Sequence, residues 1–140
     1  MIGLGCGARS YTRQIHYATR YATRSEAIRG ILADYIGKTA DQFQAVDYGF
    51  CLDLEDQQRR FAIISLLQTD GLSFAAYHSR FCADPFDDLP QLRELPQRGL
   101  AEITRDRIKL TAEGLERSDV IGPWLFSGTV RQRMEAYGWD

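Results

Sequence analysis

Apolar and polar positions change period several times along the chain, and each change marks a predicted element. Thr23 followed three positions later by Glu26 has the spacing of a capping box, in which each side chain bonds the other's backbone N–H. Ile28, Ile31, Leu32 and Tyr35 then recur at helical spacing as far as Gly37, which predicts an amphipathic helix. Val46, Tyr48, Phe50 and Leu52 alternate with Asp47, Gly49 and Cys51, the period of a short strand. Asp53 offers an N-cap to whatever follows.

From Leu54 polar residues give way to an apolar segment, Phe61-Ala-Ile-Ile-Ser-Leu-Leu67, and Gly71 stands where a helix C′ glycine belongs. That predicts a helix buried mainly in its second half. Ser73 caps the next helix, in which Phe74, Tyr77, His78 and Phe81 fall on one face. His78 on that face reads as a core histidine rather than a catalyst. A third helix is expected from Asp88, carrying Leu89, Leu92 and Leu95. Pro90 suits its first turn, whereas Pro96 removes an interior donor and should kink or end it.

Leu100–Thr104 and Arg107–Leu110 alternate on either side of Arg105-Asp106, which predicts a hairpin. Thr111 can then cap a helix that runs through Ile121 and stops at Gly122-Pro123. Thr129 and Gln132 again have capping-box spacing, ahead of a short last helix to Tyr137. The stretch Tyr11–Thr23 shows no clean period, and its Tyr-Ala-Thr-Arg pair at 17–24 is too short to be a structural repeat.

The order helix, helix, helix, two-stranded wing, helix makes residues 53–121 a winged helix-turn-helix in expectation. The fold class is therefore mainly α within α+β, a winged-helix-like helical domain with a small β-hairpin. The boundaries expected are 1–23 as a glycine-rich lead-in, 24–52 as a helix and short strand, 53–121 as the winged-helix-like domain, and 122–140 as a C-terminal helix.

At 140 residues, 44% of them hydrophobic, the chain is one ordinary domain and too short for a complete α/β barrel, which needs roughly 200 residues or more. Its apolar runs, such as Phe61–Ile64, fall far below the roughly 20 residues of a membrane span. Met1–Ser10 lacks the basic and apolar regions of a secretory signal, so a cytoplasmic location is expected. Cys6, Cys51 and Cys82, odd in number and without a CxxC pair, read as reduced thiols rather than a disulfide framework or a zinc site.

The net charge of −2 is unevenly spread: within residues 1–30, Arg9, Arg13, Arg20, Arg24 and Arg29 face only Glu26. That basic end either meets an anion or is simply a solvated face, the commoner case. Arg93, Arg98 and a wing bearing Arg105, Arg107 and Lys109 are the least a duplex binder needs. Asp87, Asp88, Glu94 and Glu102 share the region, which argues against nucleic acid. Asp84, Asp87 and Asp88 read as helix caps rather than paired catalytic carboxylates.

Gly3-Leu-Gly-Cys-Gly7 has GxGxG rather than GxGxxG spacing and no room for a preceding strand, so it is not a dinucleotide loop. Cys6 between its glycines reads as a small residue in a tight backbone crossing before it reads as a reactive thiol. His16 has no evident carboxylate or thiol partner.

Ile2-Gly-Leu-Gly-Cys-Gly-Ala-Arg-Ser-Tyr11, Arg60-Phe-Ala-Ile-Ile-Ser-Leu-Leu67 and Gly71-Leu-Ser-Phe-Ala-Ala-Tyr-His-Ser-Arg-Phe81 together resemble the C-terminal part of oxygen-independent coproporphyrinogen III oxidase-like radical S-adenosylmethionine (radical SAM) proteins. Leu89–Ile103 and Ile108–Gly114 continue the likeness, which covers nearly the whole chain in order. The resemblance implies an incomplete α/β barrel holding an iron–sulfur cluster and S-adenosylmethionine, covered by a mostly helical C-terminal domain. It further implies that residues 1–23 are the remnant of the barrel's end, with Gly3, Gly5 and Gly7 facing the cofactor. From there Arg9 and Arg13 are expected to contact an anionic tetrapyrrole substrate.

The family's cluster motif, CxxxCxxC, does not occur in these residues. The expectation is therefore a substrate-covering domain with no catalytic residue, metal or cofactor of its own, whose partner is an upstream radical SAM barrel. The rival expectation is a winged-helix module binding DNA or protein, and a further one is a homodimer joined through an exposed sheet edge.

Overall fold

The computed structural model describes residues 1–20, 22–46 and 48–136. Tyr21, Asp47 and Tyr137, each part of a pattern above, lie outside the described residues. The fold is α+β with two small antiparallel sheets. The chain divides into two compact units, residues 1–53 with the end of the chain from Arg133, and Leu54–Gln132.

In the first unit, β1 (Arg9–Tyr11) and β2 (Ile15–Ala18) form an antiparallel hairpin in a stretch where the sequence shows no clean period. The Thr12 hydroxyl accepts hydrogen bonds from the N–H groups of Gln14 (3.3 Å) and Ile15 (2.9 Å), so a threonine side chain closes the turn. Helix α1 (Ser25–Gly37) follows, capped at its start by Arg24 rather than Thr23. Arg24 is extended (φ −79°, ψ 135°), so the helix begins one residue too late for the Thr23–Glu26 capping box. None of its residues is buried, and Ile28 and Leu32 of its apolar stripe are 40% and 42% exposed. After a 3₁₀ turn at Asp41–Gln44, strand β3 (Gly49–Cys51) pairs with β2 and is shorter than the alternation from Val46 to Leu52 suggested. Only three of its residues find partners on the four-residue β2.

The second unit opens with α2 (Leu54–Leu66), which buries Asp56 and Gln58 in its first half as well as Ala62 and Leu66 in its second. Ile64 remains half exposed, so burial follows a stripe and not the helix's second half. Gly71, at φ +72°, turns the chain into β4 (Leu72–Ser73), and a Cβ there would strike the Ile108 carbonyl. Ser73 caps α3 (Phe74–Phe81) by accepting from the Ala76 N–H at 3.3 Å. Tyr77 is wholly buried, whereas His78 is exposed and not the core residue its spacing suggested. A histidine one position beyond Tyr77 is turned roughly 100° around the helix, enough to reach solvent.

The expected third helix is broken into α4 (Pro85–Asp88), a 3₁₀ turn at Pro90–Arg93, and α5 (Glu94–Gln97). Asp84, not Asp88, is the N-cap of this run, its carboxylate accepting from the Phe86 N–H at 2.7 Å. Pro90 restarts the chain as a 3₁₀ turn, and Pro96 falls in the first turn of α5, where no intrahelical donor is required. Leu89, Leu92 and Leu95 still reach the core, each at most 2% exposed.

The hairpin β5 (Ala101–Ile103) and β6 (Arg107–Leu110) forms as expected, and β4 joins it in the order β4-β6-β5. Thr111 caps α6 (Ala112–Glu116), its hydroxyl accepting from the Gly114 N–H at 3.1 Å. The helix breaks at Arg117, and α7 (Ser118–Trp124) runs through Pro123 rather than stopping before it. Ser127, not Thr129, caps α8 (Gly128–Ala136) by accepting from the Val130 N–H at 3.1 Å. Ser127 also donates to the buried Asp56 carboxylate at 2.6 Å, which anchors the start of α8 to α2.

No helix among the described residues is long and apolar enough to cross a membrane.

Candidate functional site

The glycine-rich lead-in is shaped by its backbone. Gly5 and Gly7 have φ of +100° and +80°, the left-handed region that side chains disfavour. A Cβ on Gly3 would lie 2.7 Å from the Arg9 carbonyl oxygen. The Gly3 N–H donates to the buried Ser10 hydroxyl at 2.9 Å, and the Gly7 N–H to the Thr19 hydroxyl at 2.7 Å. The amides of Gly3 and Gly7 are thus engaged by hydroxyls of the same unit. Cys6 between them is half-buried and free of any disulfide.

The β1–β2 hairpin continues from this loop, and its backbone at Tyr11 exchanges two bonds with Met1. The Met1 carbonyl accepts from the Tyr11 N–H at 2.8 Å, and the Met1 ammonium donates to the Tyr11 carbonyl at 2.9 Å. The β1 edge is therefore occupied at Tyr11.

Across the sheet, Tyr11 is directly opposite His16, and His16 opposite Phe50. Residues in register share a face, so three aromatic rings form one row. Tyr11 and His16 stack with centroids 4.3 Å apart and planes 22° from parallel. The Arg133 guanidinium sits 4.5 Å over the Phe50 ring, a cation–π contact that closes that end of the row. All three rings are half-buried. The expected site residues Arg9 and Arg13 bracket Tyr11 along the hairpin, Arg9 on the same face by the two-residue period and Arg13 at the turn.

Arg9, Arg13, Arg20, Arg24 and Arg29 are all exposed, and none makes an ion pair among the described residues. The cations of the second unit are differently placed. Arg59, Arg98, Arg107 and Arg117 pair with Glu55, Glu94, Asp106 and Glu113. Arg80 lies over Phe61 and Phe81, and Arg93 over Phe86. At the β5–β6 turn, the Arg107 guanidinium holds the Asp106 carboxyl below its ordinary pKa, with the Thr104 hydroxyl assisting. The five arginines of the first unit are thus open to anions from solution, as are the exposed Arg105 and Lys109 of the second, and the first unit as a whole holds as many acidic as basic residues.

The carboxylates of the second unit are structural. Asp84 is a cap, and one oxygen of Asp88 accepts from both Gln58 Nε2 (2.6 Å) and the Tyr77 hydroxyl (2.9 Å). Among the described residues no three His, Cys, Asp or Glu side chains are grouped to hold a metal ion. The aromatic row was missed in the sequence because its members come from three short strands. The signal that could have found it is Thr12, a turn-closing residue between Tyr11 and His16.

Residues 52–116 match the family model described as the HemN C-terminal domain. No curated protein and no solved structure matches the chain.

Proposed function

We propose, from the premise that residues 52–116 carry the C-terminal portion of HemN-like proteins, that this chain covers the substrate of a coproporphyrinogen III oxidase-like radical SAM protein. The family match over those residues is the observation that carries the reading. Cys6, Cys51 and Cys82 lie 45 and 31 positions apart and do not make the three-cysteine set that a radical SAM cluster needs. The cluster and S-adenosylmethionine, which supply the radical chemistry, therefore belong with a barrel bearing CxxxCxxC.

The work left to this chain's own residues is enclosure and anion contact. A cover that excludes water strengthens every electrostatic interaction beneath it. In this reading Gly3, Gly5 and Gly7 form part of the wall toward the cofactor, and Arg9 and Arg13 meet substrate carboxylates, for which guanidinium groups are well suited. The exposure of both arginines and their lack of ion pairs support the assignment. The Leu54–Gln132 unit would be the winged-helix-like part, since α2, α3, the broken helical run and the β5–β6 hairpin follow that order.

Anaerobic incubation of the chain with S-adenosylmethionine, a reductant and coproporphyrinogen III should yield no 5′-deoxyadenosine. Adding a barrel polypeptide that carries a CxxxCxxC cluster should produce it. Turnover by the chain alone would overturn the reading.

The order of elements in the second unit also favours a DNA-binding winged helix as a second reading. Its third helix, however, is split into pieces of four residues, and Arg93, Arg98 and Arg107 are occupied by Phe86, Glu94 and Asp106. A gel shift with duplex DNA at about 50 mM salt should therefore show no complex. A shift that weakens steeply as salt rises would favour the second reading instead.

A further inference from the structure

We draw no further inference here: the strongest candidate, the exposed apolar stripe of Ile28, Leu32 and Ile36 along α1 in the first unit, carries nothing because nothing in the structure shows what covers it.

Discussion

Tyr77→Ala is expected to destabilise the Leu54–Gln132 unit by about 3–5 kcal/mol, the range for deleting a buried aromatic side chain from a packed core. Tyr77 is fully buried and sits in a ring cluster, with centroids 5.9 Å from Phe61 and 4.8 Å from Phe81. Its hydroxyl donates to the Asp88 carboxylate, to which Gln58 also donates, so one side chain joins α2, α3 and α4. Tyr77→Phe keeps the ring and removes only the donor, which leaves Asp88 one partner short at a cost of about 1–3 kcal/mol. Urea unfolding of both variants measures the two parts separately. A loss of less than 1 kcal/mol for Tyr77→Ala would mean the cluster is not the centre of the core.

The same residue makes stability depend on alkaline pH. Burial, then the hydrogen bond to Asp88 and its charge, push the Tyr77 hydroxyl well above the ordinary tyrosine pKa. A raised folded-state value means the native state keeps a proton that the unfolded chain releases near pH 10. The contribution of Tyr77 is therefore complete below that pH and declines as pH climbs above it. Tyr77→Phe should flatten that decline.

Much of the second unit was legible in the sequence because its signals are local. Ser73 and Thr111 are caps that act on the backbone three residues away, and both form as their spacing required. The β5–β6 hairpin likewise follows from alternation on either side of a short polar turn. The broken helical run at 85–97 was misread because the spacing of Leu89, Leu92 and Leu95 is nearly the same for an α-helix and for a 3₁₀ turn joined to a short helix. Leucines three apart reach the core in either case. Proline position, which decides between them, depends on where each turn begins.

The first unit was less legible for a different reason. Strands of three or four residues give too few positions for a period to emerge, and Phe50 joins Tyr11 and His16 only through its pairing with His16, 34 positions away in the chain. Arg9 and Arg13 were visible as an excess of charge. Their placement on either side of Tyr11 needed the hairpin. The Ile28–Tyr35 stripe of α1 shows the converse: the helix was read correctly, but its apolar face is not buried within the chain. Periodicity reports that a face is apolar and is silent about what covers it.

Gly114→Ala is the second large effect, and its sign is opposite to what helix propensity gives. In a solvent-exposed helix interior, glycine to alanine stabilises by about 1 kcal/mol. At Gly114, in α6, an added Cβ would run into the Leu100 carbonyl and stand 3.2 Å from the Leu110 Cβ. Neither backbone nor buried strand can yield, because the Leu100 carbonyl also accepts from the Thr111 N–H at 3.0 Å and Leu100 and Leu110 are core residues. The helix must therefore lift away from the hairpin, which gives up the Thr111 bond and part of the core contact. Overpacking of this kind costs about 1–3 kcal/mol, and adding the lost bond brings the expected net to about 2–4 kcal/mol. Gly122 in α7 supplies the control, because nothing lies within 4 Å of a Cβ built there. Gly122→Ala should be neutral or stabilising by up to about 1 kcal/mol. If thermal unfolding ranked the two variants the other way round, the close approach of α6 to the hairpin would not exist in solution.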